Sequence, residues 1–526
     1  MMTSLSEQDS ADRFSLSERW ILVAVGTMLL ALGVSGESLW IDEGYSAKLA
    51  MQPTLVLWAR TLKSILGSEP QMPGYQLYLW GWTRVFGMSE WGMRFANLPW
   101  AALFTAALAW GSERLLHVRR LWLIICLSPF LWFYMNEARP YAMMLGLSMA
   151  TTVAVLSYAH DPVRFRLAPW WAMISLLALW SVHMLSITIV PSMLVLLYLL
   201  RPVPIKTLIR QWLLPLMVTM PFYLLLALYY LHTVAGGNGG NIEKPGLSNL
   251  AFAFYEFLGF GGLGPPRTDL RLHPNLHTLL PYLPMLILGV LAFVLVGSSI
   301  LSQLRRSSDH RTVFGLAVAF GVGVLVTFVL AYAVHLRLLG RHLAVFPPLL
   351  AFLLIAGLRP VRNDRQQMPV FGSLLLLAAV WLCSDIKQRV LPSYHKDDYR
   401  SAVALARNAL VKGEPVLWVA DRETANYYGL PTTEGLEKGS LLPDRPMEAV
   451  SGVCSPERLE RSLLSGKPYL VVMTDREHFD PDGNCREVVK SLNGTHIASY
   501  PDFDAWQVTE GSSVARVRAS ALRSSY

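Results

Sequence analysis

The chain has 526 residues, 53% hydrophobic and 16% charged, with 17 tryptophans and a formal net charge of +8; its mean hydropathy is +0.38. A water-facing surface takes about a quarter charged residues, so this composition excludes an ordinary soluble domain and indicates a polytopic membrane protein. The positive excess does not argue for nucleic acid, because lysines and arginines at the cytoplasmic ends of spans give the same balance.

The first 19 residues, MMTSLSEQDSADRFSLSER, are polar. With no apolar signal core or cleavage site, they read as a cytoplasmic segment ahead of a retained first span. About eleven apolar runs approach the length needed to cross ~30 Å of hydrocarbon. They lie near 20–35, 95–112, 121–134, 141–158, 168–182, 184–200, 212–231, 279–300, 312–334, 343–357 and 369–384. Basic clusters fall in alternate connections: Arg114, Arg119 and Arg120; Arg164 and Arg166; Arg201, Lys206 and Arg210; Arg305, Arg306 and Arg311; Arg359, Arg362 and Arg365. The positive-inside rule puts these in the cytoplasm. Segments 36–94, 135–140, 233–278 and 335–342 then face the other side, with everything after about Asp385. An odd number of spans places the two termini on opposite sides. The expected fold is mainly α, with a membrane domain over 20–384 and a soluble extra-cytoplasmic α/β domain over 385–526 that folds on its own.

In that tail, DDYRSAVALARNAL has helical spacing, PVLWVA and PYLVVMT are buried-strand runs, and SPERLERSLLSG is a helix with Ser455 as N-cap and Pro456 at its first position. Alternating helix and strand predicts a layered α/β arrangement. Cys126 and Cys383 sit in apolar runs, whereas Cys454 and Cys485 both lie in the tail. The tail pair would join in an oxidising compartment and otherwise remain as two free thiols.

Polar residues gather on the far side. The first such segment, SLWIDEGYSAKLA, sets Asp42 and Glu43 just beyond the first span, with Trp40 placed to anchor it at the interface. Pro70, Pro73 and Gly74 break any helix before the aromatic amphipathic stretch of EPQMPGYQLYLWGWTRVFG. YMNEARPYAMM brings Glu137, Arg139 and Tyr141, and His183 marks the next turn. FLGFGGLGPPRTDLRLH is a long Gly-rich loop, and HLRLLGRHLAVFPPLL carries Arg337, Arg341 and His342. Each has a bland reading. Acids beyond a span can simply be solvated, a histidine at an apolar helix end is commonly a hydrogen-bonded interfacial residue, and Arg341 can snorkel. Glycine also marks any flexible turn.

Together, and in this order, WIDEGYSAKLA, SEPQMPGYQLYLWGWTRVFGMSEWGMRFANL, NEARPYAMMLGL and GRHLAVFPPLLAFLL resemble the GT-C polytopic glycosyltransferases. The likeness is to the bacterial branch related to protein O-mannosyltransferases and lipid A aminoarabinose transferases. It covers roughly the first 400 residues, and the tail beginning YHKDDYRSAVALAR looks like the extra-cytoplasmic tails of bacterial members. One departure is PQMPGY, where relatives often have a His-Pro-Pro stretch. The resemblance implies an inverting transferase of the cell (inner) membrane. It would move a sugar from a polyprenyl-phosphate donor to an acceptor hydroxyl on a glycan, lipid or protein outside the cytoplasm. Membrane lipids are its other partners, and nucleic acid is not one.

A hydroxyl is a poor nucleophile until a carboxylate takes its proton during attack. The resemblance implies Asp42 as that general base, with Glu43 orienting it or raising its pKa by like charge. On an irregular loop, neighbouring acids can point either way, so the two roles can be exchanged. A leaving polyprenyl phosphate needs positive charge more than a proton, which Arg341 and Arg337 would supply. Glu137, Arg139 and Tyr141 match a substrate-positioning region. No tight ligand spacing demands a divalent metal, for which Glu137 and His183 are the candidate ligands. The alternative class is a lipid-linked sugar flippase or transporter. It predicts ionisable residues or broken helices near the bilayer midplane, whereas the charges here gather at the outer ends of the runs.

Overall fold

The computed structural model describes residues 16–237, 244–272, 276–304, 310–358, 364–434, 447–453, 469–474, 479–480, 485–491 and 494–508. Arg305, Arg306, Arg359, Arg362, Cys454 and the helix expected around Ser455 lie outside them. The chain forms two compact units: Met1–Ser35, Pro53–Pro265 and Asn275–Gln388 in the first, and Gly36–Gln52, Pro266–Pro274 and Arg389–Tyr526 in the second.

The first unit is helical. In hydrocarbon no water can satisfy backbone polar groups, and a helix satisfies them within itself. The apolar runs are helices at Leu16–Ala31, Leu98–Leu116, Tyr141–His160, Ala168–Val182, Ile189–Leu200, Ile205–Ala235, Leu283–Leu304, His310–Ala333, Pro347–Gly357 and Asp364–Val390. The run at 121–134 is broken. A 3₁₀ stretch, Leu121–Leu127, gives way at Ser128, whose ψ of 125° is extended, to the short helix Pro129–Met135. Proline drives the preceding residue out of the α region and is itself suited to the first helical position. By length and composition, five helices among the described residues can cross a membrane: Tyr141–His160, Ile205–Ala235, His277–Ser302, His310–Ala333 and Pro369–Val390.

Packing separates central from peripheral helices. The apolar window of Tyr141–His160 is 89% buried and that of Ile205–Ala235 only 11%. The latter turns Leu214, Met217, Leu224, Leu225 and Leu228 outward, as a lipid-facing helix does. Close approach at the centre depends on Gly146, where a Cβ would sit 2.9 Å from the Trp100 carbonyl oxygen. Small residues at such crossings bring helix backbones together.

The second unit holds a six-stranded sheet of β1 (Val416–Val419), β2 (Thr432–Glu434), β3 (Ala449–Ser451), β4 (Tyr469–Thr474), β5 (Thr495–Tyr500) and β6 (Phe503–Val508), in the order β2-β3-β1-β4-β6-β5. The first four strands in that order run parallel, and β6 is antiparallel to both β4 and β5. Every residue of β1 and β4 is buried, as in a sheet covered on both faces. On one face, Tyr399, Ala402, Val403 and Ala406 of the helix Tyr399–Val411 pack with Trp418, Leu470, Val472 and Phe503. That helix starts at Asp398, whose side chain accepts the Ser401 N–H at 3.1 Å. On the other face, Leu417, Val471 and Met473 pack with Cys485 and Val489. Cys485 is disulfide-bonded, while Cys126 and Cys383 are free.

Two segments from earlier in the chain belong to this unit. One is the Gly-rich loop's end, with the helix Arg267–Leu272. The other is the stretch after the first span, which is a helix over Ile41–Ala50 and not an irregular loop. Asp42 and Glu43 stand in its first turn, where the partial positive charge of the helix N-terminus favours carboxylates. Ala47, Lys48, Leu49 and Ala50 that follow are strong helix formers.

Candidate functional site

In the first unit the segment between Met135 and Tyr141 is pinned from several sides. The Asn97 amide donates to the carbonyls of Met135 (3.0 Å) and Glu137 (2.7 Å). The Ser35 N–H and hydroxyl both donate to Asn136 Oδ1, at 2.8 and 2.9 Å. Arg94, fully buried, donates to the Ser35 carbonyl at 2.9 Å. Held this way, Arg139 is itself buried. Its Nη1 lies 2.7 Å from Glu69 Oε1 and its Nη2 donates to Ser68 Oγ at 3.0 Å. Glu69 comes from a short 3₁₀ turn, Glu69–Gln71, whose Pro70 carbonyl accepts the Tyr229 hydroxyl at 2.8 Å. Tyr141 is buried beside Tyr134, with ring centroids 4.6 Å apart, and Glu137 is also buried.

Two histidines complete this cluster. His183 Nδ1 accepts the Leu185 N–H at 3.1 Å, and His342 Nδ1 accepts the Leu339 N–H at 3.1 Å. A neutral imidazole that accepts at Nδ1 carries its proton at Nε2. Burial pushes His183 down to about 3, and the positive charges of Arg139 and Arg341 push it the same way. Burial likewise lowers His342 well below the usual imidazole range, with Arg341 and His183 contributing. Arg139, Arg341, His183 and His342 therefore share one electrostatic environment. The turn that carries Arg341 and His342 is fixed by the Gly340 N–H, which donates to Glu256 Oε2 at 2.8 Å. A Cβ at Gly340 would meet that oxygen at 2.6 Å and the Glu256 Cβ at 2.7 Å, so any larger residue there would displace Glu256 from this contact. Arg341 is half-buried and Arg337 exposed.

Of the two candidate metal ligands, His183 is already engaged. His183 has its Nδ1 lone pair in a hydrogen bond and its proton on Nε2, which leaves no nitrogen to coordinate. Among the described residues, no group of three or more His, Cys, Asp or Glu could hold an ion. The Arg139 guanidinium is taken up by Glu69 and Ser68, so what the cluster offers an anionic, oxygen-rich group is Arg341 beside two neutral, buried imidazoles.

Asp42 and Glu43 lie in the second unit. Successive helical residues are about 100° apart, so the two carboxylates of Ile41–Ala50 point differently. Glu43 is fully buried. Its Oε2 accepts the Trp40 N–H at 3.4 Å and lies 3.8 Å from Lys396 Nζ. Asp42 is half-buried. The helix packs on Arg422–Tyr427 of the same unit. Lys48 Nζ meets Glu423 Oε1 at 2.7 Å, and the Leu39 N–H donates to the Tyr428 hydroxyl at 2.7 Å. A Cβ at Gly44 would stand 2.0 Å from Thr424 Oγ1. Burial raises the Asp421 carboxyl above the usual range, opposed by hydrogen bonds from Thr424 and Tyr45.

Thus Arg139, Glu137, Tyr141, Arg337 and Arg341 belong to one unit, and Asp42 and Glu43 to the other. Sequence reasoning missed Glu69, Lys396, Glu423 and Tyr428. Glu69 had one available signal, an acid directly before the Pro70–Gly74 breakers, while the tail residues had none.

No protein-family model matches the sequence, and no curated protein matches it. Among solved structures, ArnT from Cupriavidus metallidurans in the apo state aligns over 94% of this chain and 99% of its own, at 14% identity and a TM-score of 0.52. ArnT from the same organism bound to undecaprenyl phosphate aligns over the same shares, at 12% identity and a TM-score of 0.49. The apo likeness establishes architecture: this chain has an ArnT-like fold, in agreement with the resemblance carried by its motifs.

Proposed function

We propose that the chain is an inverting glycosyltransferase of the inner membrane, taking a sugar from a polyprenyl-phosphate carrier and passing it to an acceptor hydroxyl outside the cytoplasm. The observation that carries this reading is the gathering of Arg341, His183 and His342 around the buried Arg139–Glu69 pair, where the Arg341 charge and the neutral imidazoles suit a phosphate leaving group. In this reading eleven spans put the N-terminus in the cytoplasm and the unit bearing Asp42 outside it. Asp42 removes the acceptor's proton as its oxygen attacks the anomeric carbon, the bond to the carrier phosphate breaks, and Arg341 and Arg337 offset the charge left there. Glu43, engaged with Trp40 and Lys396, orients the first turn of the helix, and Asp42 is the carboxylate that acts. Arg139 acts through its ion pair with Glu69, shaping the cluster beside Glu137 and Tyr141. The fold shared with ArnT, a lipid A aminoarabinose transferase, supports the same reaction class.

The broken run at 121–135 carries no acidic or basic side chain of the kind that lines an ion or substrate pathway, which favours transfer over transport. The test is transfer by purified protein from a panel of synthetic polyprenyl-phosphate sugars, joined to mass analysis of envelope glycans and proteins after gene deletion. Transfer with inversion supports the proposal. Uptake into proteoliposomes without transfer overturns it.

A further inference from the structure

The helix bearing Asp42 is held by contacts from Asp421–Tyr428, from Arg400 and from Lys396, whose Nζ lies 3.8 Å from Glu43 Oε2. Before the helix, the Leu39 N–H donates to the Tyr428 hydroxyl at 2.7 Å, and the Ser38 hydroxyl lies 3.3 Å from it. Ser38 Oγ also accepts the Arg400 N–H at 3.1 Å, and the Arg400 Nη2 donates to the Gly36 carbonyl at 3.0 Å. At the first turn, Ile41 packs against the core that contains Tyr399 and Trp418. One turn on, Gly44 sits against Thr424 with no room for a side chain, and Tyr45 donates to Asp421. At the far end Lys48 pairs with Glu423. The stretch Asp421–Tyr428 therefore fixes the start, middle and end of a ten-residue helix.

We infer that Asp421–Tyr428 is the positioning element for the helix that bears Asp42, with Tyr428 the positioning residue that sets where Asp42 stands. The inference rests on Asp42 being the base. Leu39 is fully buried, so its N–H has no water to turn to when the Tyr428 hydroxyl is removed. The segment entering the helix must then shift, and Asp42 is three residues on. A general base has to lie within hydrogen-bond reach of the proton it takes, and displacements of about 1 Å at a reacting group cost about 10²-fold. Donor binding, which this reading assigns to residues of the other unit, has no reason to change.

The test uses the full chain in nanodiscs, with Tyr428→Phe, Asp42→Asn and the double variant. Tyr428→Phe should speed amide hydrogen exchange in residues 36–50 while leaving β1 and β4 protected. Turnover should fall about 10- to 100-fold, and binding of undecaprenyl phosphate, the probe for the membrane unit, should hold. In the Asp42→Asn background the same substitution should cost nothing further, because it acts through Asp42. A second pair guards against misfolding. Lys48→Glu should loosen the same peptide, and Lys48→Glu with Glu423→Lys should restore it. Unchanged exchange in residues 36–50 overturns the inference, as does a turnover loss of equal size in the Asp42→Asn background. Normal turnover of Asp42→Asn overturns the base assignment instead and leaves the exchange result standing.

Discussion

Consider Arg139→Met. The wild-type guanidinium and the Glu69 carboxylate are 1% and 3% exposed and 2.7 Å apart. At that burial the carboxylate cannot recover its hydration by a side-chain rotation. The remaining contact in its own turn is the Ser68 hydroxyl at 3.3 Å. Removing one member of a buried pair costs ~3–5 kcal/mol, because the other charge is left in a poorly polarisable site. Arg139→Met with Glu69→Gln leaves no unpaired charge, so the double variant should lie within ~1–2 kcal/mol of the parent, about the cost of an imperfectly satisfied amide. The assay is reversible unfolding of the purified protein in mixed micelles, followed by tryptophan fluorescence. The signature is a double variant more stable than the Arg139→Met single. If the single variant is as stable as the parent, or the double is no better than the single, the pair does not hold the cluster and Arg139 must be assigned to substrate directly.

Asp42→Asn keeps the side chain's shape but cannot take a proton, so turnover should drop about 10²–10⁴-fold with donor binding intact; Glu43→Gln should cost less, and steady-state kinetics of both variants would expose an exchange of roles. Arg341→Lys keeps the charge but loses the two-pronged geometry, so donor affinity should weaken, and Arg341→Ala should weaken it further. Equal affinity in all three proteins by isothermal titration would return Arg341 to snorkelling. His183 should contribute an acid instability. Its folded value of about 3 lies below the unfolded value of about 6.5, so the stabilisation is fully present above the unfolded value. It falls as the pH drops below about 6.5, where the unfolded chain takes up the proton, and levels off once the folded value is passed. His183→Gln should flatten that fall in a pH series of unfolding midpoints, and an unchanged slope would contradict the assignment.

Much of the helical architecture was legible because hydrocarbon leaves a chain few options. A run such as 141–158 must be helical, and Tyr141–His160 is. The break at Ser128 was also written in the sequence, as Ser-Pro inside an apolar run, but length alone hid it. Strands 416–419 and 469–474 announced themselves as short buried runs. The surroundings of Asp42 were different. The acids themselves were visible, but their helix is ordered by Tyr428, Thr424 and Glu423, nearly 400 residues away, and no periodicity near Asp42 encodes a partner at that distance. Glu69 escaped notice for a related reason, since an acid before a proline reads as a turn until Arg139 is found beside it.

The assembly of the second unit from both ends of the chain sets a clock on biogenesis. The Leu39 N–H and the Tyr428 hydroxyl that accepts it are 389 residues apart. At a synthesis rate of about 5–20 residues per second, roughly 20–80 s pass between the two emerging from the ribosome. During that interval the first-turn acids have no native neighbours, while the helices between them are being made and inserted. Any chain that stops short of the tail keeps an Asp42 that never reaches its native surroundings, so under the proposed role of Asp42 a truncated product should lack transfer activity. On that proposal, completion of the last segment is the step that arms the protein.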